Sequence, residues 1–194
     1  MSDRPAGDGS ALGRVPAVPP AARLFFALWP DASVRQQLGR CAAEVHRACG
    51  GRQIRDEQLH ITLAFLGDVP IDDIPEVCAA AHVPCPPMFT LRFSGAGYWP
   101  RKRLAWAAPE EIPASLSALA GRLTAVLNET GYRVDSRPYF PHVTLVRDAR
   151  CRDLPSWPEG FEWRVADFVL VRSTRSPAGA RYDVVSRWPL KTIR

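Results

Sequence analysis

Leu59–Leu66 reads LHITLAFL and Pro141–Asp148 reads PHVTLVRD, and on these two stretches the fold turns. Both are dense in residues that favour extended backbone, and both carry the frame His-x-Thr-Leu. Side chains on a strand alternate faces with a period of two. His60 and Thr62 therefore share one face, with Ile61 and Leu63 on the other. His142 and Thr144 stand in the same relation to Val143 and Leu145. Each stretch predicts a strand with one dry side and one side bearing an imidazole and a hydroxyl. A lone strand histidine is ordinarily a hydrogen-bonded structural group. The chain has four histidines, and two of them in one repeated frame reverse that reading.

Working outward, LFFALW (24–29) predicts a buried strand ended by Pro30 and Asp31. Val34, Leu38, Cys41, Val45 and Cys49 form the stripe of an amphipathic helix, with Asp31 as its cap and Gly50-Gly51 as its stop. The first His stretch is expected to end in a turn at Gly67-Asp68, with a weaker helix within 71–82. MFTLRFSGAGYW (88–99) predicts a strand bent near Gly95 and Gly97, paired with 103–108 through a turn at 100–102. Leu116, Leu119, Leu123, Val126 and Leu127 mark a further helix ended by Gly131, and strands are expected at 142–147, 161–172 and 181–188. This uneven alternation disfavours a doubly wound parallel sheet and points to an α+β protein with antiparallel sheets. Residues 1–22, rich in Pro, Gly and Ala, read as a disordered tail, and 23–194 as a single domain.

Two such polar faces brought together would form a cleft with two imidazoles and two hydroxyls. An imidazole titrating near ~6.5 gives or takes a proton at neutral pH. Opening a cyclic phosphate needs a base for the attacking water and an acid for the leaving ribose oxygen. Thr62 and Thr144 can hold the phosphate oxygens, and Arg147 can offset the charge that builds there. Phe140 and Tyr139, and the Tyr98-Trp99 pair beside Arg101-Lys102-Arg103, can stack on a base. No metal site is expected: neither segment has HxH, HExxH or a cysteine at ligand spacing, and threonine is a poor zinc ligand. His46 and His82 read as surface residues.

Bulk composition limits the alternatives. Lys and Arg exceed Asp and Glu by 25 to 20, and the segment from Arg164 onward accounts for the whole excess. That basic end either lines an anion-binding surface or coats edge strands. Five cysteines without a CxxC predict reduced thiols and a cytoplasmic protein. No apolar run is long enough to span a bilayer.

With these residues in view, the chain resembles the two-histidine (2H) phosphoesterases, in particular the bacterial RNA 2′,3′-cyclic phosphodiesterases first described as 2′-5′ RNA ligases. The resemblance rests on RLFFALWP, QLHITLAFLGDV, RPYFPHVTLVRD and YDVVSRWPL and covers nearly all of 23–190. It implies two pseudo-twofold-related lobes around a central cleft, with helices outside. It implies His60 as proton donor to the leaving group, His142 as proton acceptor from water, and Thr62 and Thr144 on the phosphate. It also implies no cofactor or metal and, as partner, an RNA or oligonucleotide with a 2′,3′-cyclic phosphate end; a monomer is expected. Two other readings stay open: the reverse chemistry, joining RNA through a 2′-5′ linkage, and a non-catalytic RNA- or nucleotide-binding module.

Overall fold

The computed structural model describes residues 20–134, 138–176 and 179–192. The tail expected over 1–22 lies outside the described residues except for its last three, and two of those belong to a strand. Strand β1 (Ala21–Leu28) starts before Arg23 because Ala21 and Ala22 pair with Pro70 and Val69. Leu24, Phe26 and Leu28 enter the main core, while Phe25 and Ala27 enter a smaller cluster with Val169 and Val171 on the opposite face. A strand buried on both faces reads as one unbroken apolar run, as LFFALW does.

Helix α1 (Ala32–Cys49) follows the expected stripe. Val34 N–H donates to Asp31 Oδ1 at 2.9 Å, and Gly50, with φ of 62°, closes the C-terminus by donating to His46 O. A two-residue strand β2 (Arg52–Gln53) and a 3-10 turn (Asp56–Gln58) lead to β3 (Ile61–Pro70). β3 runs straight through the turn expected at Gly67-Asp68. Gly67 has φ of 79° because the register against β1 slips beside it, so this glycine serves a bulge. Helix α2 (Ile74–Ala80) precedes β4 (Phe89–Trp99), which pairs with β5 (Leu104–Ala107) across a 3-10 turn at Pro100–Lys102.

Helix α3 (Ala114–Glu129) has no side-chain cap. Its fully buried Leu116, Leu119, Leu123 and Leu127 hold it instead. At about 1.5–3 kcal/mol each, they outweigh the ~1 kcal/mol of a missing cap. Then come β6 (Val143–Arg147), β7 (Ser156–Val165), β8 (Asp167–Ser176) and β9 (Gly179–Pro189). The single strand expected over 161–172 is two strands. Trp163, Val165, Phe168 and Leu170 are all buried, and the interval of three between Val165 and Phe168 breaks the period of two at Ala166. There the chain leaves one edge of the sheet and enters its other half.

All named strands join one antiparallel sheet in the order β7-β4-β5-β6-β3-β1-β8-β9, with β2 lying against β6. Its seam is β3–β6, joined through one residue pair, Ile61 with Val143. On either side stand equivalent units, β1-α1-β3 and β5-α3-β6. Each helix crosses the seam, α1 packing on β6 and α3 on β3. The protein is thus α+β, with two lobes related by an approximate twofold through the Ile61–Val143 pair.

The expectation of reduced thiols is corrected at one pair. Cys49, the last residue of α1, forms a disulfide with Cys151, just after β6, with alpha carbons 4.3 Å apart. Their separation of 102 residues carries no spacing motif, so only the docking of α1 on β6 brings them together. Cys41, Cys78 and Cys85 are free thiols. Burial, helped by the nearby Glu44 carboxylate, pushes the Cys41 thiol up to about 12.

Candidate active site

His60 and His142 each sit one residue before the strand of their motif, β3 and β6, immediately beside the seam pair. Ile61, Leu63, Val143 and Leu145 are buried, whereas His60, Thr62, His142 and Thr144 are half-buried and line one cleft of 1310 Å³. The period-two reading of both motifs therefore holds. In a regular antiparallel ladder, residues on the diagonal of a pair lie roughly 7–8 Å apart. His60 and His142 stand on such a diagonal about the Ile61–Val143 pair, and the charge of His142 is felt at His60.

The histidines are oriented by one local device. His60 Nδ1 donates to Gln58 O at 2.6 Å, and His142 Nδ1 donates to Phe140 O at 2.9 Å, in each case a carbonyl two residues upstream. A carbonyl only accepts, so the neutral rings carry their proton on Nδ1 and keep the Nε2 lone pair for the cleft. Thr62 Oγ1 donates to His60 Nε2 at 3.2 Å.

Both rings stand in aromatic surroundings. His60 lies 4.9 Å from Phe25, stacks on Trp29 at 5.7 Å and meets the edge of Tyr182 at 5.5 Å. His142 meets Trp99 edge-on at 4.8 Å and stacks on Phe140 at 5.9 Å. Burial disfavours the imidazolium and pulls His60 down to about 4, with the charges of His142 and Arg147 acting in the same direction against the raising effect of the Gln58 carbonyl. Burial also lowers His142, aided by Lys102 and Arg147.

The remaining sequence-predicted residues divide. Arg147 is exposed on the cleft wall, its backbone held between β5 and β2. Phe140, also exposed, lies against Trp99, Trp106 and His142. Tyr139 lines the cleft and donates its hydroxyl to Thr62 O at 3.3 Å. Tyr98 is a correction: it packs on the main core and donates its hydroxyl to Ala149 O at 2.8 Å, outside the cleft. Its neighbour Trp99 takes the cleft wall, with Lys102 Nζ 4.8 Å from its ring centroid. The register slip between Phe93 and Gly95 exchanges the faces of β4, which decides between the two residues. His46 and His82 are exposed, as expected.

Sequence reasoning missed Phe25, Trp29 and Tyr182 around His60, and Arg52, Arg55 and Gln58 on the rim. The parity of LFFALW could have separated Phe25 from Phe26. Tyr182 had no local signal, because β9 reaches His60 only through tertiary pairing. Of the basic C-terminal residues, Arg175 lines the cleft, while Arg181 pairs with Asp183 and Arg187 with Asp167. Among the described residues, no group of three or more His, Cys, Asp and Glu side chains is gathered for a metal ion. No helix among the described residues is long and apolar enough to cross a membrane.

Known proteins are similar to this chain in sequence and fold. The chain is 35% identical over 171 residues to the RNA 2′,3′-cyclic phosphodiesterase of Escherichia coli, covering 87% of this chain and 96% of that protein. It is 33% identical over 181 residues to the Thermus thermophilus protein of the same name, covering 87% and 90%. The crystal structure of E. coli LigT complexed with 3′-AMP superposes with a TM-score of 0.80 at 33% identity, covering 88% of this chain and 99% of that one. The model of the LigT-like phosphoesterase family matches twice, at 28–106 and 107–182, and each match contains one copy of the His-x-Thr-Leu frame. With the two matches together spanning 28–182 and the E. coli relative matching 87% of the chain, the chain belongs to the LigT-like phosphoesterase family.

Proposed function

We propose that this protein hydrolyses 2′,3′-cyclic phosphodiester ends of RNA to 2′-phosphomonoesters, with His60 and His142 as its acid–base pair. The observation that carries this reading is the seam: one Ile61–Val143 pair flanked on its polar side by two imidazoles, each with Nδ1 tied to a carbonyl and Nε2 left for the cleft, where the Thr62 hydroxyl meets that of His60. The names of the E. coli and T. thermophilus relatives support the same reaction.

His142 Nε2 takes a proton from a water molecule, whose oxygen forms the new bond to phosphorus. The bond from phosphorus to the ribose 3′ oxygen breaks, and that oxygen takes the proton of His60. The products are a 2′-phosphate and a 3′-hydroxyl. Thr62 and Thr144 donate to the non-bridging oxygens, and Arg147 stabilises the negative charge that grows on them. His60 must be protonated to act. The arriving phosphate anion favours its imidazolium and so counteracts the burial that keeps it neutral in the free protein.

The test is product analysis on an oligonucleotide ending in a 2′,3′-cyclic phosphate, with and without EDTA. The expected product is the 2′-phosphate, with the rate unchanged by chelator. His60→Ala and His142→Ala should each lower kcat by about 10²–10⁴-fold with thermal unfolding little changed. Full activity in either variant would sink the assignment. Binding without any product would mark a recognition module, and joining of RNA halves at a rate exceeding hydrolysis would mark a ligase.

A further inference from the structure

The cleft is larger and more basic than a terminal nucleotide requires. Its 1310 Å³ exceeds the roughly 300–1,000 Å³ of pockets that enclose one small molecule. Among its described lining residues six are cationic, Arg23, Arg52, Arg55, Lys102, Arg147 and Arg175, and none is acidic. A cyclic phosphodiester brings a single negative charge. Arg147 and Lys102 already act on the histidines there, and Arg55 is engaged by Glu57 and the Ala180 carbonyl.

Of the remaining three, Arg52 lies on β2 against β6, on the His142 side, whereas Arg23 and Arg175 stand together on the other lobe. Arg23 on β1 is the cross-strand partner of Ser173 on β8, and Arg175 follows Ser173 by two, on the same face. Arg23 is loosely paired with Asp68 at 3.8 Å. Arg175 is exposed and has no carboxylate partner among the described residues. Arg23, Ser173 and Arg175 also line a second hollow of 330 Å³, whose wall holds Asp68 and Arg172. The Nε of Arg172 is buried without a hydrogen-bond partner. The three residues thus form a saddle of two guanidiniums and a hydroxyl between cleft and hollow.

In-line displacement puts the attacking water and the leaving oxygen on opposite sides of phosphorus. With His142 on the water and His60 on the 3′ oxygen, the ribose and the rest of the RNA lie on the His60 side. That side is the β3-β1-β8-β9 lobe, which carries the saddle. Resting on the function and proton-transfer order proposed above, we infer that the RNA strand 5′ of the cyclic end leaves the cleft over Arg23, Ser173 and Arg175. Its upstream phosphodiesters are held there, and the site selects oligonucleotide ends over cyclic mononucleotides.

The experiment compares kcat/KM on adenosine 2′,3′-cyclic phosphate and on a triadenylate ending in a 2′,3′-cyclic phosphate. Wild type should prefer the trinucleotide by about tenfold or more, and Arg175→Ala and Arg23→Ala should each lose most of that preference. Both variants should keep the mononucleotide rate within about twofold. For the trinucleotide, the slope of log kcat/KM against log salt should become shallower by about 0.7 for each phosphate contact removed, while Arg175→Lys retains it. Equal wild-type rates on the two substrates, or an equal loss on both in the Ala variants, overturns the inference and leaves the proposed function standing. Failure of wild type to cleave either substrate overturns both.

Discussion

His60 and His142 owe their chemistry to neighbours that the motif does not contain. The Gln58 and Phe140 carbonyls fix the tautomer, and the surrounding aromatic rings strip water from the imidazoles. Arg147 adds a positive charge that lowers both groups. The sign of its effect is therefore set. Arg147→Ala removes a charge that opposes the imidazolium, so both histidines should rise and both limbs of the kcat/KM–pH profile should move to higher pH. Profiles measured under single-substrate conditions check this; an unshifted or acid-shifted profile would mean that Arg147 does not act on the pair. The two histidines and two threonines were legible because a repeat around a rare residue is visible in one dimension. Tyr98 and Trp99 were not separable, because which of them faces the cleft depends on where the β4 bulge falls.

At the scale of elements, close packing of backbone on aromatic rings shapes the His142 side. A Cβ on Gly97 would run into the ring of Trp106, which packs against Trp99 and Phe140. Gly97→Ala should destabilise the protein by about 1–3 kcal/mol through forced repacking, with a loss of activity that follows Trp99. Gly121, in α3, has open space around it. Gly121→Ala should stabilise by roughly 0.5–1 kcal/mol through helix propensity. Urea denaturation of the two variants checks the pair, and similar midpoints would refute the packing argument. The helices and most strands were readable from their periodicity. The turn expected at Gly67-Asp68 was not, since the same positive φ serves a turn or a bulge, and pairing with β1 selects the bulge.

Across the whole molecule, the two lobes are held by a narrow strand seam, by helices that cross it and by the Cys49–Cys151 bond. That bond joins the C-terminal end of α1 to the segment after β6, beside the β2–β6 pairing that carries Arg52 and Arg147. A link closing about 100 residues is worth up to roughly 4–5 kcal/mol in the chain-entropy model. Cys151→Ser, or treatment with a dithiol reductant, should lower the thermal midpoint by several degrees, and the reductant should not lower the variant further. Melting curves in oxidising and reducing buffer test this; wild-type curves that coincide would show that the bond does not contribute to stability.

By itself the sequence determined the three helices, most of the strands, the α+β class and the four polar residues of the repeated motif, because periodicity and turn chemistry act over a few residues. Tertiary structure alone decided the single-pair seam, the exchange of Tyr98 for Trp99, the Tyr182 contact with His60 and the Cys49–Cys151 bond. Each of these depends on strand register or on partners far apart in the chain, and register is fixed only when the whole sheet buries its dry face at once.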